Sequence, residues 1–214
     1  MLTYDLLKNH AGILLCGDYK TLQTLHEVVH EVNDKSPIIR DKEGSFLGLA
    51  YDARKAYERQ RRVIDPPKHF EEVGVRYGVE ILWPVLLVQS RMLRVSLAFF
   101  DSTKRQQAIA YSLESVIEEA IDDDFGPGGS LVRERWDRLD PAHPALEERL
   151  DSRGAQFCAW TKAERKAKFA GLLASFDPMY DVLYRHSVER GEVGLVVPAE
   201  LDALAGTEWP DPRW

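Results

Sequence analysis

The stretch VRYGVEILWPVLLVQSRMLRVSLAFF, residues 75–100, contains a strand and a buried helix in immediate succession. Its first part, residues 75–83, mixes β-branched and aromatic side chains, which is typical of a β-strand. Pro84 suits the first turn of a helix, and from there onward apolar side chains surround most of the circumference. Such a helix is either central to the core or an interface between copies of the chain. We expect it to be enclosed as the core helix.

The segments on either side are mainly helical. Apolar residues recur at helical spacing in five of them, at about 21–32, 46–63, 104–123, 163–175 and 178–189. The run AGILLCG at 11–17 predicts a buried strand and residues 193–197 predict a third strand. FGPGGS at 125–130 predicts a loop, and we expect the two tryptophans of EWPDPRW, 208–214, to dock on the body. The predicted fold class is mainly α (α+β): a single compact helical domain spanning 1–214, with a minor two- or three-stranded sheet.

The composition excludes several classes of protein. A chain of 214 residues with 44% hydrophobic residues can bury a sizeable core without a disulfide or a structural metal. Its net charge of −7 disfavours general affinity for nucleic acid. The longest apolar run, 81–88, is too short to span a membrane. The N-terminus has no signal-peptide pattern, and Cys16 and Cys158 form no CxxC pair, so we interpret both as reduced thiols of a cytosolic protein.

The sequence HEVVH at 26–30 matches the zincin pattern H-E-x-x-H. On a helix, His26 and His30 lie one turn apart, so both imidazoles could bind one zinc ion. Glu27 stands where the general base of a zinc hydrolase would take a proton from zinc-bound water. The apolar stripe of the helix directs both histidines away from the core. That orientation suits a helix that lines a cleft, and equally one with a solvated polar face.

The surroundings of HEVVH count against the metal. Glu31 places a charge directly after the second histidine, and 33–36 lacks the glycine and third histidine of the metzincin extension. A carboxylate from elsewhere could be the third ligand, as in the gluzincins. The candidates are Glu118 and Glu119, of which Glu118 points nearly opposite the buried stripe of its helix, and Asp52 and Glu58, which are no better placed. The alternative interpretation is a solvated helix face on which Glu27 and Glu31 stabilise the histidine charges.

Two further patterns invite a chemical interpretation. Cys16 precedes the histidine-bearing helix and could pair with His26 as a thiolate nucleophile, although a free cysteine within an apolar run is usually part of the core. RKAYERQRR at 54–62 has five basic residues in nine, a pattern that can contact nucleic acid. Acidic residues interrupt this run and the other basic runs, so a salt-bridged, solvated face is the default interpretation.

No complete catalytic set of residues can be assembled, so the sequence leaves open whether the chain is an enzyme. The preferred hypothesis is a cytosolic, non-catalytic protein without a cofactor that acts through a protein partner or through self-association. The alternative is a zinc-dependent hydrolase with His26 and His30 as ligands and Glu27 as base. A weaker alternative is a nucleic-acid contact through 54–62. The sequence names no small-molecule ligand.

Overall fold

The computed structural model describes residues 1–69 and 71–212 and confirms a mainly α (α+β) fold. A four-stranded antiparallel sheet accompanies the helices, so the expected sheet of two or three strands was too small. The elements in chain order are β1 Thr3–Leu6, β2 Gly12–Gly17, α1 Tyr19–Lys35, α2 Leu47–Tyr57, β3 Arg62–Ile64, β4 Arg76–Leu82, α3 Trp83–Ser96, α4 Lys104–Phe125, α5 Gly129–Asp137, α6 Leu146–Ala159, α7 Lys162–Ala174, α8 Tyr180–Glu189 and α9 Pro198–Asp202.

The sheet has the strand order β1-β2-β4-β3, with every neighbouring pair antiparallel. The two central strands are those expected from the sequence. β1 and β3 were missed because they have only four and three residues, too few to show an alternating pattern. Ile13 and Leu15 of β2 pack into the hydrophobic core, and the intervening Leu14 points to the opposite face.

The helix that follows β4 is enclosed, as expected. Trp83 and Pro84 form its first turn directly after the strand, and α4, α5 and α6 pack against it. Leu87 has no exposed surface. The helix ends at Ser96 rather than at 100, and Phe99 beyond it is half exposed. α3 therefore covers residues 84–96 of the predicted helix and also includes Trp83, which was predicted as the end of the strand.

The helix expected over 46–63 is shorter in the structure, because α2 ends at Tyr57. Arg59 adopts a left-handed conformation with φ of 62°. The Gln60 amide donates to the Lys55 carbonyl, and the Arg59 amide donates to that of Ala56. These two bonds form a Schellman motif, which stops a helix and usually has glycine at the position of Arg59. The chain then turns back into β3.

Within the described residues, the C-terminal half contains three helices that the sequence pattern did not predict, namely α5, α6 and the short α9. Gly126, with φ of 55° and ψ of −124°, ends α4, and residues 126–128 form a single 3-10 turn before α5 begins at Gly129. The predicted loop is thus a sharp corner between two helices, and α6 follows α5. Residues 193–197 form no strand. Trp209 docks as expected, donating to Asp151 across 2.8 Å, whereas Trp214 lies outside the described residues.

Buried arginines hold the ends of α6 and α7. Arg165 has no exposed surface and donates to the carbonyls of Phe157 and Cys158 in the last turn of α6. Arg153 donates to Ser175 in the same way just after α7. The last carbonyls of a helix lack hydrogen-bond partners within the helix and carry partial negative charge. A guanidinium group donates hydrogen bonds to them and compensates this charge.

Candidate functional site

The HEVVH segment lies in the middle of α1, where this helix packs along α2. Asp18 caps the helix by accepting from the Thr21 amide at 2.9 Å. Leu25, Val28, Val29 and Val32 are buried and fix the rotation of the helix. The intervening His26 is partly buried and His30 is exposed. The two imidazole rings are 4.7 Å apart between centroids, at an interplanar angle of 85°.

A row of four rings runs along the surface between α1 and α2. Tyr19 contacts Tyr57 with a centroid distance of 5.2 Å, and Tyr57 contacts His26 at 5.9 Å. His26 in turn contacts His30. The Tyr57 hydroxyl and His26 Nδ1 are 3.2 Å apart and share a hydrogen bond. Edge-to-face ring contacts of this kind are favourable, so each ring restricts the orientation of the next.

Arg54 joins this row to a further exposed tyrosine. Its guanidinium lies 5.8 Å from the centroid of the Tyr51 ring, and the Lys55 ammonium lies 5.3 Å from the same centroid. Arg54 also acts electrostatically on His26 and on Tyr57, so its charge affects the row of four rings as well as Tyr51. We refer to Tyr19, His26, His30, Tyr51, Arg54 and Tyr57 together as the ring surface.

The electrostatics of the ring surface favour a neutral His26. Burial lowers the pKa of His26, and the neighbouring His30 and Arg54 lower it further. Burial likewise raises the pKa of Tyr57. A neutral imidazole beside a neutral phenol can exchange donor and acceptor roles through their shared hydrogen bond. The His26–Tyr57 pair therefore offers polar ring edges that carry no charge of their own.

Glu27, the predicted general base, is engaged by another helix. Arg105 of α4 donates to its carboxylate across 2.7 Å and to the Thr24 hydroxyl across 3.1 Å. Glu31 accepts from the Gln106 side chain of the same helix. Both carboxylates thus tie α1 to the start of α4. Sequence spacing gives no signal for Arg105, because the contact joins residues 78 positions apart.

The candidate third ligands are not brought to the histidines. In the part of the chain that the structure describes, no group of three or more His, Cys, Asp or Glu residues could hold a metal ion. Glu58 acts on His26 electrostatically and accepts from Gln60, Asp52 faces Arg61 at 3.9 Å, and Glu118 and Glu119 are exposed on α4. Cys16 is buried in β2, and burial raises its pKa to about 11, against a thiolate role.

A second polar cluster lies inside the molecule. His10 Nδ1 and Asp124 Oδ1 are 2.8 Å apart, and the Trp83 indole donates to the other carboxylate oxygen, also across 2.8 Å. Asn9 and His10 both have left-handed backbone conformations, with φ of 59° and 53°. No sequence pattern indicated this cluster, because His10 and Asp124 are 114 positions apart. Only the tertiary fold brings these residues together, and they connect the β1–β2 turn to the end of α4 and the start of α3.

Comparison with known protein families identifies the chain at the level of family. The model described as "Domain of unknown function (DUF6904)" matches residues 2–190. The chain belongs to this family. The DUF6904 match covers both the ring surface and the cluster around Asp124. No curated protein and no solved structure matches the chain. Within the described residues, no helix has the length and apolarity to cross a bilayer.

Proposed function

We propose that this chain is a non-catalytic binding protein and that it contacts a partner protein through the ring surface. The observation that carries the proposal is the unbroken contact of four rings from Tyr19 to His30, beside Arg54 and Tyr51. Tyr19 and Tyr51 are each about half exposed. Tyrosine and arginine are enriched among the residues that dominate the binding energy of protein interfaces.

The pre-ordering of the rings supports this proposal on energetic grounds. Association costs the freedom of every side chain that becomes fixed in the interface. Tyr57 is already restrained by its hydrogen bond to His26 and by its two ring contacts. A partner that packs on this row therefore loses less to side-chain ordering than it would on isolated surface residues.

The charges around the ring surface favour a protein over a nucleic acid. Glu27 and Glu31 lie on α1 with the two histidines, Glu58 directly follows α2, and these carboxylates would repel phosphate groups. The basic segment 54–62 is also divided in space, since Arg61 faces Asp52 while Arg54 lies over Tyr51. A continuous basic track for a phosphate backbone is the feature that a nucleic-acid contact would need.

A peptide-display experiment tests the proposal. A random peptide library would be selected on the purified protein, and each enriched peptide would be titrated against Tyr19→Ala, Tyr51→Ala and Arg54→Ala. We expect each change to weaken binding about fivefold or more, as for interface residues that contribute more than about 1 kcal/mol. Tyr111→Ala is the matched control, because Tyr111 is 53% exposed against 48% for Tyr51 and also lies beside an arginine, at 4.4 Å.

Two outcomes contradict the proposal. Peptides that bind the three variants and the wild type equally would place the interaction elsewhere. A fluorescent single-stranded oligonucleotide that binds wild type, and that releases on Arg54→Ala with a steep salt dependence, would assign the surface to nucleic acid instead. Thermal unfolding of each variant shows whether a lost interaction reflects a lost fold.

A second proposal is that His26 and His30 bind a divalent transition-metal ion. It is favoured by the 4.7 Å ring separation and by the lowered pKa of His26, since the neutral imidazole is the metal ligand. As a hydrolase the site would also require Glu27 to leave Arg105. This second proposal predicts one equivalent of zinc in the purified protein, lost in both His26→Ala and His30→Ala. Zinc-free protein from metal-replete medium contradicts this proposal and leaves the protein-binding proposal standing.

A further inference from the structure

A cavity of about 450 Å³ lies among α5, the end of α7 and α8, and it shares no residue with the ring surface. Its inner wall is apolar and buried, and consists of Leu139, Leu173, Phe176 and Tyr180. Leu183 of α8 is nearly half exposed at its edge. This volume lies in the range of about 300–1,000 Å³ that small-molecule sites occupy in proteins.

Three arginines line the cavity, and two of them are already paired. Arg138 contacts Glu134 at 2.9 Å, and Arg190 contacts Glu192 at 2.8 Å. The remaining Arg135 is partly buried, and within residues 1–69 and 71–212 it has neither a hydrogen bond nor an ion pair. A partly buried guanidinium group with five unused donors is a ready partner for a planar anion.

The acidic residues of the cavity form no hydrogen bond or ion pair with Arg135 within the described residues. Arg135 acts electrostatically on Glu192, but the ion pair of Glu192 is with Arg190, at 2.8 Å. Asp140 accepts from the Ala142 amide at 3.0 Å, and Asp177 accepts from the Met179 amide at 2.8 Å. Both aspartates therefore stabilise turns of the backbone. Their negative charges nevertheless line the same cavity, so they disfavour a ligand that carries more than one negative charge.

We propose that this cavity binds a small monocarboxylate with an aromatic or aliphatic body. Arg135 would hold the carboxylate through two parallel N–H···O bonds, the geometry that a guanidinium group offers to a carboxylate. The body of the ligand would pack on Leu139, Leu173 and Phe176, which exclude water from the inner wall. This inference is independent of the proposed protein contact, because it rests on α5, α7 and α8 rather than on α1 and α2.

Three aryl probes test the proposal with the full chain. Phenylacetate carries the proposed anion, phenylacetamide is its neutral counterpart, and phenyl phosphate carries more negative charge. Binding would be followed through the backbone amide NMR signals, with ligand up to about 10 mM to include weak complexes. We expect phenylacetate to shift signals in 173–184 and to bind about tenfold or more tightly than either other probe, because a hydrogen-bonded charge is involved.

Arg135→Gln should remove this preference for phenylacetate over phenylacetamide, and Arg135→Lys should retain part of it, since lysine keeps the charge and loses the fork. Arg133→Gln is the matched control and should bind as the wild type does, because Arg133 lies on α5 outside the cavity and pairs with Asp122 at 2.9 Å. Equal affinity for phenylacetate and phenylacetamide in the wild type would overturn the role of Arg135. Shifts for none of the three probes would overturn the site itself.

Discussion

At the scale of the residue, Arg59 is the clearest conflict between a side chain and its backbone. It occupies the left-handed position of the Schellman motif that ends α2. A side chain with a Cβ atom is strained there, whereas glycine is not. The arginine is exposed and follows Arg54 and Lys55 along the border of the ring surface. Local rules of this kind are broken most often at functional positions.

Arg59→Gly should therefore stabilise the protein by about 0.5–1 kcal/mol. This value is the strain energy that is relieved at the left-handed position, minus the entropic cost of the added freedom of glycine in the unfolded chain. Urea unfolding measures the change. Glu58→Gly is the control: with φ of −77°, Glu58 has no such strain to relieve, so this variant should be less stable than the wild type. A loss of stability in Arg59→Gly would mean that the arginine side chain makes a stabilising contact that outweighs the strain.

At the scale of the element, two helices begin with the same reciprocal cap but with different chemistry. Thr103 and Gln106 form the capping box of α4, and Thr161 and Glu164 form that of α7. The Thr161 amide donates to the Glu164 carboxylate, and this bond with the hydroxyl of Thr161 lowers the pKa of Glu164. The neutral glutamine of α4 has no such dependence on pH.

The lowered pKa of Glu164 predicts how its contribution depends on pH. A carboxylate with a depressed pKa in the folded state stabilises the protein above its unfolded pKa of about 4.3 and loses that effect as the pH falls through the folded pKa. Glu164→Gln preserves the box and removes the charge. The stability advantage of the wild type over this variant should be largest near neutral pH and should disappear in acid. An advantage that does not change from pH 7 to pH 3 would contradict the assignment.

Helices and strands were predictable from the sequence where a pattern of apolar residues extended over many positions. They were not predictable where a few residues determined the local structure. α1, α4, α7 and α8 follow apolar stripes, and α3 follows a segment that is apolar on most of its circumference. β3 escaped because it continues the basic run of the predicted helix, and only the backbone conformation of Arg59 separates the two. The run 193–197 has the apolar composition of a strand, but Val193 is 94% exposed and no neighbouring strand pairs with the run.

The candidate site was predictable only in part. The helical position of His26 and His30 and their outward direction follow from the apolar stripe of α1. Their partners do not, because Tyr57 lies 31 residues from His26 and Arg105 lies 78 residues from Glu27. The fold supplies these contacts, and it turns a five-residue motif into a row of rings and an interhelix ion pair.

At the scale of the whole molecule, one hydrophobic cluster extends from Leu2 to Leu201, and α3 passes through it. Leu87→Ala should cost about 2–5 kcal/mol of unfolding free energy, because it removes a fully buried side chain and leaves a cavity. Urea unfolding measures the stability, and sedimentation velocity measures the oligomer size. A change in oligomer size with an unchanged monomer stability would assign the helix to an interface instead of the core.

The sheet topology has a consequence for the order of folding. β2 and β4 are neighbours, but their pairing joins residues 60 to 70 positions apart, from Gly17 with Tyr77 to Gly12 with Leu82. Closing so long a loop before any contact forms is entropically costly, whereas α1 and α2, which lie inside it, can pack locally first. We expect the helical pair to be formed in the folding transition state and the central strands to join later. Leu25→Ala in α1 should then slow refolding, whereas Val79→Ala in β4 should mainly accelerate unfolding. Stopped-flow kinetics measure both rates. The reverse pattern would be evidence that the sheet forms first.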